Sequence, residues 1–275
     1  MLKRTFLLAG LVVLSACKTI PSSQVTSTNN PLHQIEVNGK LYAAVFQQNA
    51  AEYQALAAQA FNIATLRVDE LLTQSFDKPL AIVTDIDETF LDNSPYAVEM
   101  ARQGKIFSEE TWNEWTSKGD ALPLLGSLEF FNYAASKGIE VYYITNRTQN
   151  DKAGTMKNLK KYNYPFADEQ HVIVRTTESS KETRRQKLSE THEIVMLLGD
   201  NLSDFSTAFD KKTQEERLQN VKNNQALFGK RFIILPNTGY GDWESALLQY
   251  KRNLTTEEKD DLYNKSVRGF ESNKK

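Results

Sequence analysis

The chain has little of what many metal and redox sites are built from. Its one cysteine, Cys17, excludes a disulfide within the chain, so the fold must be held by packing alone. The three histidines, His33, His171 and His192, show neither metal-ligand spacing nor the arrangement of a catalytic triad. We interpret these histidines as surface or packing residues, and any catalytic site must use other side chains.

Strong charge and long apolar runs are also missing. The formal net charge is −2, and no cluster of lysine and arginine is dense enough to contact a nucleic-acid backbone. After the first twenty residues no apolar run reaches the ~20 residues that a membrane-spanning helix needs. The 275 residues, 40% hydrophobic, have ample core for one large domain. The composition therefore predicts a globular domain that does not bind nucleic acid.

The amino-terminal residues have the pattern of an export signal. Lys3 and Arg4 precede the short apolar run Phe6–Leu14, which is followed by Ser15, Ala16 and Cys17. The tetrapeptide LSAC resembles the bacterial lipobox, in which cleavage before the cysteine is coupled to its lipid modification. We predict a lipoprotein signal peptide over residues 1–16 and a lipid on Cys17. A plain secretory signal with an incidental cysteine is the alternative.

The residues after the predicted lipid site read as a tether followed by the domain. Residues 17–30 are rich in Ser, Thr and Asn and predict a flexible linker, and residues 31–275 form the predicted domain. An aspartate directly after the lipidated cysteine retains a lipoprotein at the inner membrane, and here that position is Lys18. The resemblance therefore implies a bacterial envelope protein, anchored in the outer membrane if the cell has two membranes. Leu41–Gln74 has apolar residues at helical spacing and predicts one or two long helices.

The segment PLAIVTDIDETFLDNSPY organises the rest of the chain. Leu80–Thr84 is apolar on both faces, as in a buried strand of a parallel sheet, and it ends at Asp85 and Asp87. Ligands bind at the carboxyl ends of strands in open α/β sheets, and two acids this close need a cation or a shared proton. A solvated acidic turn is the alternative for these two residues taken alone.

Two features follow this first strand. Residues 93–122, which include Trp112 and Trp115, interrupt the expected crossover and predict a small helical cap, with a helix over Pro123–Lys137 after it. A second strand then ends at Thr145 and Asn146, which suit a phosphate group or, alternatively, cap the next helix.

The later predicted strands span His171–Arg175, Glu193–Leu198 and Arg231–Leu235. Lys181 is predicted in the first turn of a helix, where the positive end of the helix dipole disfavours its charge. A bound anion would remove this conflict, and a solvated surface lysine is the alternative. Asp200 and Asp204 follow the fourth strand. A group of carboxylates without Cys or His ligands suits Mg²⁺ better than zinc, and with a lysine it suits phosphoryl transfer through an aspartyl-phosphate.

At these residues the chain resembles the haloacid-dehalogenase-like (HAD) superfamily, and within it the class C bacterial acid phosphatases of the lipoprotein 5′-nucleotidase type. The motifs are DIDET, ITNR, Lys181 and VMLLGDNLSDF, in that order, and the resemblance covers about residues 41–250. Thr84 and Phe90 depart from the usual pattern beside the first motif. The resemblance implies an α/β fold, with a Rossmann-like parallel sheet flanked by helices, a small helical cap and helices at the amino terminus.

The resemblance also implies a role for each motif residue. Asp85 would be the nucleophile and touch Mg²⁺, and Asp87 would be the general acid and base, with its backbone carbonyl on the metal. Asp200 would bind the metal directly and Asp204 would support the metal site. The phosphoryl oxygens would be held by Thr145, Asn146 and Lys181.

The expected substrate is a small phosphomonoester, with a nucleoside 5′-monophosphate, including nicotinamide mononucleotide, as the first choice. Trp112 and Tyr240 would stack the base, since the loop PNTGYGDWE resembles the family's corresponding loop; rings that only pack the cap onto the core are the alternative. Three other readings stay open: a broad-specificity acid phosphatase, a receiver-like signalling domain, and a ligand-binding lipoprotein with a vestigial site. A homodimer is left open.

Overall fold

The computed structural model describes residues 34–270. The predicted signal peptide, Cys17, the tether and His33 lie outside the described residues. No helix of the described part is long and apolar enough to cross a membrane.

Helices and strands alternate along the chain, as expected for an α/β fold. The helices of the described residues are α1 (Ile35–Asn49), α2 (Ala51–Leu71), α3 (Ser94–Arg102), α4 (Glu109–Lys118), α5 (Ser127–Ser136), α6 (Gln149–Lys161), α7 (Glu182–Ser189), α8 (Gln214–Asn223), α9 (Asp242–Leu247) and α10 (Thr256–Ser266). The strands are β1 (Leu80–Thr84), β2 (Leu91–Asp92), β3 (Leu122–Pro123), β4 (Glu140–Ile144), β5 (Val172–Ile173), β6 (Glu193–Gly199) and β7 (Phe232–Ile234).

Five of the strands form one parallel sheet in the order β5-β4-β1-β6-β7. The central strand is β1, and Val83 pairs with Tyr142 of β4 on one side and Leu197 of β6 on the other. The chain runs outward from β1 first to one side and then to the other, so the strand order reverses at β1. In open α/β sheets a crevice forms at such a point, beyond the carboxyl ends of the strands.

Aromatic side chains fill much of the core on one side of the sheet. Phe90 and Phe131 lie with ring centroids 5.1 Å apart, and Phe90 also meets Tyr164 at 4.9 Å. Phe61 of α2 and Phe130 of α5 belong to the same cluster of buried residues. A smaller cluster on another part of the sheet contains Phe205 stacked on Phe232. Because no disulfide contributes, this burial of large rings is what stabilises the fold.

The predicted cap is a pair of helices between two short strands. The antiparallel strands β2 and β3 bracket α3 and α4. Ser108 caps α4 by accepting a hydrogen bond from the backbone of Thr111 at 3.3 Å. A Cβ atom at Gly154 of α6 would lie 2.3 Å from the carbonyl oxygen of Thr116, so only glycine allows α4 to dock this closely.

The predicted fold class is confirmed, while several element bounds were wrong. The helix expected over Pro123–Lys137 begins at Ser127, because Pro123 pairs in β3. Lys181 is at the N-cap position of α7 instead of in its first turn, and its side chain makes no capping hydrogen bond. The third sheet strand is only Val172–Ile173, and α8 was not predicted because its polar sequence has no apolar stripe.

Candidate active site

Three carboxylates meet where β1 and β6 end. Asp85 follows β1 directly, while Asp200 and Asp204 lie in the segment after β6. Each of the three offers an oxygen within 4.8 Å of the others, and Asp85 and Asp204 are buried. Neighbouring parallel strands bring these acids together, although more than a hundred residues separate Asp85 from the other two in the chain.

Lys181 lies between two of these acids. Its ammonium group pairs with Asp85 and, at 2.7 Å, with Oδ1 of Asp204, and the residue is only 4% exposed. A lysine at a helix N-cap opposes the helix dipole, and buried anions on either side remove that conflict. Lys181 therefore belongs to the acid group and not to the solvated surface of α7.

Burial makes this acid group hard to ionise in full. Burial, opposed by Lys181 and reinforced by Asp204 and Asp87, raises the pKa of Asp85 to about 7. Burial and the charges of Asp204 and Asp85 hold the pKa of Asp200 well above its usual range. Three carboxylates and one lysine carry a formal charge of −2 when all are ionised. A further cation or bound protons must balance that charge.

The carboxylate of Asp87 is not part of this group and pairs with Arg147. The guanidinium donates from Nη2 to Oδ1 at 2.8 Å and from Nε to Oδ2 at 3.2 Å. Asn93 also donates to Oδ1, at 2.9 Å, and is itself held by Trp115, whose Nε1 donates to Asn93 at 2.8 Å. Oδ2 therefore accepts fewer and longer hydrogen bonds than Oδ1, so it is the oxygen more available to a ligand.

Sequence reasoning gave Arg147 no role, although it is the fourth residue of the ITNR motif. It is 3% exposed and donates to Thr155 at 2.9 Å in addition to Asp87. Trp112 lies over it, with the ring centroid 5.7 Å from the guanidinium carbon, and Tyr96 meets Trp112 edge-on at 5.0 Å. A motif position filled by arginine at a strand end was the available signal for such a partner.

The Thr145–Asn146 segment is tied to the segment before α7 by Arg184. The guanidinium of Arg184 donates to the carbonyl of Thr145 at 2.6 Å and to Oδ1 of Asn146 at 2.8 Å. It also reaches the carbonyl of Ser180 at 3.3 Å, one residue before Lys181. The residues predicted to hold a phosphate thus come from two segments joined by one arginine, which sequence reasoning also missed.

Tyr240 reaches back to the first motif through its hydroxyl. It donates to Oε2 of Glu88, whose other oxygen accepts from the backbone of Asn93 at 2.8 Å. Glu88 has a φ of 56° and is buried, and burial together with the charge of Asp87 raises its pKa to about 8. The Tyr240 residue is still 41% exposed, so its hydroxyl is fixed at the site while part of the side chain faces solvent.

The loop that carries Tyr240 is anchored at both ends. Asn237 donates to Oδ2 of Asp200 at 2.7 Å. Lys40 of α1 donates to the carbonyl of Gly239 at 2.9 Å and to Oε2 of Glu244 at 2.8 Å. The first helix of the described chain thus holds the rim of the site.

Comparison with known proteins fits this geometry. A family model described as HAD superfamily, subfamily IIIB (Acid phosphatase) matches residues 2–243. The chain belongs to this family.

Solved structures of the family are similar over most of the chain. The Class C acid phosphatase from Bacillus anthracis is 40% identical with a TM-score of 0.82, over 86% of this chain and 99% of that one. A structure of it with tungstate bound matches equally well, at 41% identity over the same shares and a TM-score of 0.82.

Curated relatives match a shorter part. A Stem 31 kDa glycoprotein of Glycine max is 31% identical over 126 residues, 44% of this chain and 50% of the relative. Acid phosphatase 1 of Solanum lycopersicum is 28% identical over 131 residues, 45% and 51% of the two chains. A Class B acid phosphatase of Aggregatibacter actinomycetemcomitans is 25% identical over 169 residues, 58% and 72% of the two chains. The chain spans about half the length of the first two relatives.

The acid group of this family member fits a divalent metal ion, as HAD phosphatases use. Its donors are carboxylate oxygens of Asp85, Asp200 and Asp204, the ligands that hard cations prefer. A dication would neutralise the formal charge of −2 that remains after Lys181. The carboxylate of Asp87 is not in the group, and its predicted contact with the metal was through the backbone carbonyl.

Proposed function

We propose that the chain is a Mg²⁺-dependent phosphomonoesterase that works through an aspartyl-phosphate and prefers nucleoside 5′-monophosphates, including nicotinamide mononucleotide. The observation that carries the proposal is the pairing of two differently placed acids. Asp85 shares a buried anionic group with Lys181, whereas Asp87, two residues later, is held by Arg147. One acid is positioned to attack and the other to move a proton.

In the first step a carboxylate oxygen of Asp85 attacks phosphorus and the bond to the ester oxygen breaks. Asp87 gives its proton, from Oδ2, to that leaving oxygen. Lys181 balances the charge of the transferred group, and Thr145 and Asn146 donate hydrogen bonds to its oxygens. In the second step Asp87 takes a proton from water, the water oxygen bonds to phosphorus, and Asp85 and phosphate are released.

A bound Mg²⁺ would be held by Asp85 and Asp200 with support from Asp204, and it would supply positive charge against the phosphoryl oxygens. Activity should therefore disappear when the metal is removed with EDTA and return when Mg²⁺ is added. Full turnover in metal-free protein would contradict the proposal.

The nucleotide preference is supported by the position of Tyr240. Its hydroxyl is anchored on Glu88 and the side chain is partly exposed beside the site. Base stacking on an aromatic ring contributes about 1–3 kcal/mol for any base. Trp112 already covers Arg147 and meets Tyr96, so a role in stacking would come in addition to that packing.

The test compares adenosine 5′-monophosphate with p-nitrophenyl phosphate, whose small leaving group gains less from stacking. Tyr240→Ala should reduce kcat/KM for the nucleotide about tenfold or more and change the second substrate little. Tyr240→Phe keeps the ring and serves as the matched control, and Trp112→Ala is tested beside it. An equal loss on both substrates would mean that the aromatic ring serves folding, and the proposed nucleotide preference would be dropped.

The place of action is proposed to lie outside the cytoplasm, at the bacterial cell envelope. The support is the pattern of residues 1–17, which ends in the LSAC tetrapeptide. A lipid on Cys17 would anchor the protein in the membrane, in the outer one where there are two.

A further inference from the structure

A polar cavity of about 500 Å³ lies beside the predicted phosphate-binding segments. Its lining consists of two arginines, Arg175 and Arg252, four hydroxyl side chains and two side-chain amides. No carboxylate is among the described residues that line it. The Thr148 hydroxyl already donates to Oδ2 of Asp151, at 2.7 Å. The other side chains of the lining all carry hydrogen-bond donors, the groups that an oxyanion requires.

The cavity adjoins the phosphoryl site on two sides. Thr148, in the lining, follows Thr145 by three residues, which an extended chain spans in at most about 11 Å. Ser179, also in the lining, precedes Lys181 by two residues, at most about 7 Å. An anion in the cavity would therefore lie next to the group attacked by Asp85, but at a separate place.

The two arginines have few ion-pair partners outside the cavity. Arg175 has a carboxylate neighbour in Glu109 of the cap, at 3.6 Å, but Glu109 is 75% exposed at its side chain and such a pair contributes little. Arg252 has no carboxylate within 4.0 Å among residues 34–270. Ordinary surface arginines can be solvated in this way, but here both line one cavity together with hydroxyl and amide donors.

Arg184 is bonded both to the lining of the cavity, at Ser179, and to the segment that ends β4, at Thr145. Burial lowers its pKa, Asp85 opposes that shift, and Arg185 and then Arg175 act with it, so charges at the acid group and at the cavity both act on this arginine. It contacts the carbonyl of Ser179 at 3.5 Å and that of Thr145 at 2.6 Å. Lys181 at the acid group, Arg184 on the carbonyls of Thr145 and Ser179, and Arg175 in the lining are thus three positive charges on neighbouring segments.

We infer that this cavity is a second oxyanion site, which binds a phosphate group beside the phosphoryl site. This phosphate group is either the inorganic phosphate that the reaction releases or a second phosphate on the leaving group of the substrate. The inference rests on the proposed phosphatase function for its neighbouring site, but binding of free phosphate can be measured without turnover.

The first experiment titrates inorganic phosphate into Mg²⁺-loaded protein by calorimetry. Wild type should bind two phosphates per chain, and Arg175→Gln/Arg252→Gln should bind one. Arg102→Gln/Arg268→Gln removes the same two charges from exposed positions elsewhere and should still bind two. A phosphate count that Arg175→Gln/Arg252→Gln does not lower would overturn the inference, whereas a single phosphate on wild type that this variant loses would keep the inference and count against the phosphoryl site.

The second experiment identifies the source of the phosphate. It compares KM for fructose 1,6-bisphosphate and fructose 6-phosphate, which have no base and so do not depend on the nucleotide preference. If the leaving-group phosphate enters the cavity, Arg175→Gln/Arg252→Gln should raise the ratio of KM for the bisphosphate to KM for the monophosphate about tenfold. An unchanged ratio, with one phosphate lost in the titration, assigns the cavity to product phosphate.

Discussion

Gly199 is the position where the smallest change should damage the acid group most. It ends β6, and a Cβ atom there would lie 2.4 Å from both Cβ and Oδ2 of Asp204. Carbon atoms in contact prefer about 3.5–4.0 Å, so Gly199→Ala must move Asp204 by about 1 Å. That displacement stretches the 2.7 Å ion pair with Lys181 and the 3.0 Å bond from the backbone of Asn201.

The size of the effect follows from these contacts. Forcing one extra carbon into packed surroundings costs about 1–3 kcal/mol of folding free energy. A catalytic arrangement misplaced by about 1 Å loses roughly 10²-fold in rate. Gly199→Ala should therefore lower kcat/KM about 100-fold and raise the Mg²⁺ concentration needed for half-maximal activity, with a smaller loss of thermal stability.

The assay is turnover of p-nitrophenyl phosphate over a Mg²⁺ series, together with thermal melts. Gly39→Ala is the matched control, since a Cβ at this exposed position of α1 meets nothing within 4 Å. The control should keep full activity and gain about 0.5–1 kcal/mol, because alanine is the better helix former. Wild-type kcat/KM and Mg²⁺ requirement in Gly199→Ala would refute the reasoning.

Four further outcomes are expected. Arg147→Lys, which cannot pair with Asp87 through two parallel bonds, should lower kcat with little change in KM, and an unchanged kcat would remove Arg147 from the mechanism. Asp85→Asn should abolish both turnover and labelling of the protein by a phosphoryl group, and a labelled variant would place the nucleophile elsewhere. The pKa of Asp85 is raised to about 7 in the folded protein, so metal-free protein should lose stability as pH rises from about 4 to 7. The gain in Tm from Mg²⁺ should grow over the same pH range, and a gain independent of pH would contradict this. Cys17→Ser should leave the membrane fraction and take up no labelled fatty acid, whereas equal retention would mean another anchor.

Sequence alone predicted the parts of the site that strand ends determine. Asp85, Thr145 and Asp200 each follow an apolar run, and parallel strands bring such residues to one edge whatever their separation in the chain. Lys181 was flagged because a lysine at a helix start needs an anion. In the structure the protein's own carboxylates supply that anion.

The partners that act through side-chain direction could not be predicted. Arg147 follows Asp87 by 60 residues and Tyr240 follows Glu88 by 152, and no periodicity relates either pair. Arg147 is held by hydrogen bonds to Asp87 and Thr155, and Trp112 of the cap lies over it. Such contacts arise from the docking of separate elements, and composition and spacing carry no record of them.

The contact of Lys40 with the Gly239 carbonyl bears on how the amino end of this chain can be shortened. Asp260 of α10 accepts from the backbone of Gln34 and Ile35, so α1 is fastened where it begins as well as at Lys40. A truncated form that starts before Gln34 keeps both the contacts with Asp260 and the contact of Lys40. One that starts beyond Lys40 loses one of the contacts that hold the loop carrying Tyr240. The proposed nucleotide preference should therefore be measured on a form that keeps Lys40.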